Sequence, residues 1–72
     1  MKINLNSVKD IKDFVNIVSK FEDDIDVSSK RCVVDAKSIL GLFSLDLSKP
    51  VEVTAVGSNS SSVYNALSKY AL

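Results

Sequence analysis

No histidine occurs anywhere in this chain of 72 residues, so no imidazole is available to carry phosphate, relay protons at neutral pH or ligate a metal. What remains is hydroxyls, carboxylates, amines and a single thiol. Ser38 is one candidate among them. It stands immediately before Ile39-Leu40-Gly41-Leu42-Phe43, where it reads as a helix N-cap. A hydroxyl at that point lies where backbone amides and the helix dipole favour an anion. Phosphorylation there would add roughly two negative charges where they are accepted, changing the local surface without breaking the fold. Unmodified, the same serine is an ordinary cap.

The other chemistry-bearing residues are thinner. Cys32 is the lone cysteine, so no intramolecular disulfide forms, and its neighbours Val33-Val34 make it read as a small buried hydrophobe. A nucleophilic thiol or serine would want a base beside it, and none accompanies either. Glu22-Asp23-Asp24 with Asp26 is acidic but lacks the spacing and central glycine of a calcium loop, so it reads as a solvated helix end and not a metal site. Ser58 to Ser62 lacks the glycines and lysine of a phosphate-binding loop. The expectation is therefore no catalytic residue, no metal and no cofactor.

Short elements must position Ser38. Lys2-Ile3-Asn4-Leu5 alternates as a half-buried strand does. Ser7 with Asp10 three residues on forms a weak capping box, and Val8, Ile11, Phe14, Val15, Val18 and Phe21 then recur as one apolar helical stripe, with Ile17 at its edge. Ile25-Asp26-Val27 and Arg31-Cys32-Val33-Val34 read as a hairpin around Ser28-Ser29-Lys30. A short helix is expected from Ile39 to about Leu45, and Lys49-Pro50 forces a turn. Val51 to Val56 alternates as a last strand, with Val51, Val53 and Ala55 on one face. The serine-rich loop from Gly57 leads into a final helix with the stripe Val63, Ala66, Leu67 and Tyr70. The order β-α-β-β-α-β-α predicts an α+β two-layer open-faced sandwich, a four-stranded antiparallel sheet with three helices on one face, as a single domain over residues 1–72. The first and second strands should run parallel with the last strand between them.

The short helix is apolar almost all round. Leu42 and Leu45 are expected in the core. Ile39, Leu40 and Phe43 are expected at the surface as a protein contact patch, unless a homodimer covers them.

Composition narrows the class. At this size the fold has one thin core, burying about 60% of the surface its unfolded chain exposes. A hydrophobic share of 46% is that of a packed protein. Nine basic and nine acidic residues cancel, and the five aromatics are not interleaved with basic clusters, which argues against nucleic acid as a partner. No apolar run approaches the roughly 20 residues that cross a bilayer, the first residues do not read as a signal peptide, and a lone thiol suits a reducing compartment. A cytoplasmic protein without a membrane partner is expected.

Lys37-Ser38-Ile39-Leu40-Gly41-Leu42-Phe43-Ser44-Leu45 resembles the Lys-Ser-Ile-x-Gly-x-x-Ser-Leu stretch around the regulatory serine of the bacterial HPr family, the histidine phosphocarriers of the sugar phosphotransferase system. Val34-Asp35-Ala36 before it, Lys20-Phe21 with Ile25-Asp26-Val27, Lys49 with Glu52-Val53-Thr54, and Asn65-Ala66-Leu67 are colinear with the same family. The resemblance implies the sandwich fold above. It also implies that Ser38 is the substrate of an ATP-dependent HPr kinase, and that the short helix docks a transcriptional regulator or a phosphotransferase component. The departure is at the entry to the first helix. There the family carries a Gly-x-His-Ala-Arg-Pro-type motif, and this chain has Leu5-Asn6-Ser7-Val8-Lys9-Asp10. Ser7 falls near the histidine and Lys9 near the arginine. Serine has no ring nitrogen, lysine lacks the planar fork that clamps phosphate, and Asp10 would repel it. The chain thus resembles a branch of the family that lacks the catalytic histidine and keeps the serine. The expected function is non-catalytic and regulatory. The alternative is a structural or oligomerisation domain that kept only the fold, one that similarity alone would label a phosphocarrier.

Overall fold

Strands whose side chains alternate in and out need a helical layer on one side only, and that is how this chain is arranged. The computed structural model describes residues 1–30 and 32–72. In chain order the elements are β1 (Lys2–Ile3), α1 (Val8–Val18), β2 (Asp24–Ser29), β3 (Cys32–Asp35), α2 (Ile39–Phe43), β4 (Val51–Val56) and α3 (Ser60–Ala66), followed by a 3-10 turn at Ser68–Tyr70. The sheet order is β1-β4-β2-β3, with every adjacent pair antiparallel. As expected, β1 and β2 run parallel on either side of β4. Arg31, read from the alternation as the start of the hairpin's second strand, lies outside the described residues.

One face of the sheet supplies Ile3, Ile25, Val27, Val51, Val53 and Ala55 to the core. The helices answer with Ile11, Phe14 and Val18 from α1, Leu42 from α2 and Val63 from α3, and Leu67 joins them. The opposite face carries Lys2, Asp24, Asp26 and Thr54, all exposed. This is the predicted two-layer sandwich. Among the described residues, no helix is long and apolar enough to cross a membrane.

Several expectations need correction, each for a local reason. Cys32 is exposed, not buried. It opens the short edge strand β3, and α2 packs over Val34 instead. Val8 is 54% exposed despite its place on the stripe. It is the first residue of α1, and a helical side chain lies back over the turn N-terminal to it, here past the edge of the core. Phe21 lies beyond the helix, where its N–H donates to the Val18 carbonyl, yet it still packs against the core. Helix α2 stops at Phe43, short of Leu45, because Ser44 caps it and the Ser44 hydroxyl donates to the Gly41 carbonyl.

The acidic run at residues 22–24 is not wholly solvated. Asp23 is buried, and its Oδ2 accepts the Asn59 N–H at 3.0 Å. Gly57 makes this contact possible. Its φ is +152°, and a Cβ there would stand 2.6–2.9 Å from the Asp23 carboxylate. The loop before α3 is thereby tied to the turn that follows α1.

Candidate functional site

Two helix starts carry the residues singled out above. At α1, Ser7 is extended (φ −146°, ψ 165°) and its Oγ accepts the Asp10 N–H at 3.1 Å. The Asp10 carboxylate turns back and accepts the Asn6 N–H at 3.1 Å. This is the capping box predicted from Ser7 and Asp10, with the return bond one residue earlier than the standard pattern. Its consequence is chemical. The N-terminus of a helix favours an anion, and the chain's own carboxylate already stands there. An open depression of about 410 Å³ lies beside it, lined by Asn4, Asn6, Lys9, Asp10, Lys69 and Tyr70 among others. Both charge signs line it, so it offers no concentrated positive field for a phosphoryl group.

At α2 the same cap is built differently. Ser38 (φ −101°, ψ 104°) accepts the Gly41 N–H at 3.2 Å, and it is exposed. No acidic residue stands in the first turn of this helix. The approach is held from both sides. Asp35 Oδ1 accepts the Lys37 N–H at 2.8 Å, and the Ser38 N–H donates to the Asp35 carbonyl at 3.0 Å. Lys37 Nζ reaches back to the Phe21 carbonyl at 2.7 Å, tying the turn after α1 to the start of α2. Gly41 lets the helix sit close. An added Cβ would lie 3.3 Å from both Ser38 Oγ and Val34 Cβ.

Helix α2 has one anchor and one open side. Leu42 is fully buried and Leu45 nearly so, as expected. Leu40 is 80% and Phe43 48% exposed, and Ile39 is half-buried against the core. All of the proposed site residues, Ser38, Ile39, Leu40 and Phe43, therefore belong to one cap and one helix, with Leu40 and Phe43 presented outward. Sequence reasoning missed the structural work of Lys37 and Asp23, both of which bond to groups distant in sequence and carry no local signal. It also missed Val33, 65% exposed, which the strand order alone could have placed on a sheet edge.

The element order and the sheet order β1-β4-β2-β3 define a small open-faced sandwich of the HPr type, and comparison with known proteins agrees. Residues 8–71 match the family model described as the PTS HPr component phosphorylation site. The chain belongs to the HPr family. The match begins at Val8, leaving Ser7 outside it. Among solved structures the chain is similar to HPr-C-His from Thermoanaerobacter tengcongensis, with 29% identity, 96% of this chain and 85% of that one covered, and a TM-score of 0.85. It is similar to an HPr dimer from the same organism at 33% identity, covering 82% and 70% of the two chains with a TM-score of 0.75. Crh, the Bacillus subtilis catabolite repression containing protein, described as a domain-swapped dimer, shares the fold at 23% identity, with 100% and 88% covered and a TM-score of 0.73. No curated protein matches the chain.

Proposed function

We propose that this HPr-family chain is a non-catalytic, non-enzymatic regulatory module of a bacterial phosphotransferase network, acting in the cytoplasm. Its partner is a protein, either a transcriptional regulator or a phosphotransferase component, docked on Ile39, Leu40 and Phe43. Ser38 gates that contact. An HPr kinase would transfer the γ-phosphoryl group of ATP to the Ser38 Oγ, releasing ADP and the hydroxyl proton. The observation that carries this reading is the contrast at the two caps. The chain has no histidine, and Asp10 fills the anion position at α1. The Ser38 cap is free of acidic neighbours in its first turn and borders exposed Leu40 and Phe43.

The first test is an intact-mass measurement after incubation with ATP and the HPr kinase of the same organism, with fragmentation to locate phosphate. Phosphate on Ser38 supports the gate. No phosphate, with an authentic HPr labelled in the same tube, removes it. The docking face is tested separately by Phe43→Asp, whose unchanged affinity for candidate regulators in a folded variant would discard the patch.

A second reading has one observation in its favour. Two of the similar structures are described as dimers. On that reading the chain is a structural or oligomerisation domain, and a homodimer covers Ile39, Leu40 and Phe43. A sedimentation series in which Phe43→Asp abolishes a tight dimer would favour it over regulation.

A further inference from the structure

The two edges of the sheet are finished in opposite ways. Along β1 the end of the chain closes the edge. Leu72 N–H donates to the Lys2 carbonyl at 3.1 Å, Asn4 N–H donates to the Tyr70 carbonyl at 3.0 Å, and Ala71 bridges Ile3. The other edge is β3, and among the described residues no strand lies beyond it. Ala36 N–H donates to the Ile25 carbonyl at 2.9 Å, and Val34 stands opposite Val27 and Cys32 opposite Ser29. Antiparallel alternation therefore turns the backbone groups of Cys32 and Val34 toward β2, and those of Val33 and Asp35 outward. Val33 is 65% exposed, and Cys32 and Asp35 are exposed beside it. An extended edge with an exposed valine and no proline is a template for another strand.

We propose that β3 pairs antiparallel with β3 of a second copy of this chain, about a two-fold axis at Val33, so that two four-stranded sheets become one. The strand is complementary to itself in that register. Cys32 of one copy meets Val34 of the other on the helical side, and the two Val33 residues meet on the open face. In sequence Lys30 precedes the strand and Asp35 ends it, so antiparallel pairing sets the basic end of one copy beside the acidic end of the other. The formal net charge is zero, so the copies approach without long-range repulsion. The closed β1 edge limits the product. A two-fold contact uses the open edge of each copy and gives a dimer, not a filament. The pairing runs along the β3 backbone and leaves the exposed side of α2 free, which distinguishes it from a dimer through Phe43.

Sedimentation equilibrium of the full chain, with a reductant present so that Cys32 supplies no covalent link, should show a concentration-dependent dimer. Val33→Pro removes the outward-facing donor and no β2–β3 hydrogen bond, a substitution that edge strands accept. It should weaken association by at least about tenfold, the loss of the two central hydrogen bonds. Phe43→Asp should leave association unchanged. A chain that stays monomeric up to about 1 mM, a few kcal/mol of association at most, overturns the proposal. So does a dimer that survives Val33→Pro or is abolished by Phe43→Asp. If Val33→Pro does not fold, hydrogen exchange on the unaltered chain decides. Slower exchange at the Val33 and Asp35 amides with rising concentration supports the pairing, and unchanged exchange refutes it. Protection of those amides only when a foreign protein is added assigns the edge to a different partner and also refutes it.

Discussion

At Ser7 and at Ser38 a serine hydroxyl accepts the amide three residues ahead, at 3.1 and 3.2 Å. Beyond that the two helix starts part. Helix α1 runs for 11 residues and buries Ile11, Phe14 and Val18. Its cap is completed by Asp10, which returns a hydrogen bond to Asn6. Helix α2 has 5 residues, buries only Leu42, and has no returning carboxylate. The first start is sealed by its own charge. The second is held from outside, by Lys37 on the Phe21 carbonyl and by Asp35 on the Lys37 amide, and its hydroxyl stays exposed. The same capping residue thus yields a joint closed by a carboxylate in one place and an exposed, uncrowded hydroxyl in the other. What decides is the residue three positions on.

The largest test of that contrast is the single anchor of α2. Leu42→Ala should cost about 2–5 kcal/mol, a large part of what a domain this small possesses. Leu40→Ala, on the exposed side of the same helix, should fall within about 0.5 kcal/mol of the parent. Urea unfolding of both variants measures this. Similar losses for the two would mean that Leu40 is held in the core, which would remove it from the contact patch.

Next in size are the caps themselves. Ser7→Ala should destabilise by about 1 kcal/mol, since it removes an acceptor at the start of a long helix whose stripe is in the core. Ser38→Ala should cost less, about 0.5 kcal/mol, because α2 is short and tethered by Lys37 and Leu42. Thermal melts rank them. An order reversed from this would show that the Ser38 cap is structural first.

Charge at the two positions sharpens the comparison further. Ser38→Asp should be neutral or stabilising by a few tenths of a kcal/mol, about the worth of an anion at a helix start. Asp10→Asn removes the anion already present at α1 and should destabilise by about 0.5 kcal/mol. Both effects should shrink as salt rises, the marker of exposed electrostatics. A strong destabilisation by Ser38→Asp would count against a phosphate being accommodated there.

How far the sequence showed all this differs by element. Where a pattern is local it was legible. Alternation found β2 and β4 and the apolar face of β4, 3.6-residue periodicity found α1, and serine caps found two helix starts. The two-layer architecture and the place of β4 between β1 and β2 followed from element order. What alternation cannot show is which strand is an edge, and so Cys32 and Val33 were misplaced or overlooked. Residues that act across the chain were also invisible. Asp23 looked like part of a solvated acidic turn, yet it accepts from Asn59, 36 positions away. Lys37 looked like motif context, and its ammonium in fact joins two turns. Of the patch, the apolar excess of α2 and the outward places of Leu40 and Phe43 were legible in the sequence, whereas Ile39, expected at the surface with them, is half-buried against the core.

The smallest expected effect lies at the exit of α2, and its sign can be derived. Asp46 Oδ1 accepts both the hydroxyl and the amide of Ser48, the amide at 3.1 Å. The Ser48 hydroxyl first, and then its amide, hold the Asp46 carboxyl below its ordinary value near 3.8, with Lys49 and Lys30 adding to the effect and burial opposing it. A carboxyl lowered on folding stabilises the fold when ionised. That contribution is fully present above the ordinary value and is lost as pH falls through the lowered one. Asp46→Asn should therefore be slightly less stable than the parent near neutral pH, and the two should converge in acid, once pH has fallen below the lowered value. The group is fully exposed, so solvent screens the effect and the separation should be small. Urea midpoints at the two pH values give the comparison. A separation that persists in acid would trace the loss to the asparagine side chain itself and not to the carboxylate, leaving the α2 exit without an electrostatic clasp.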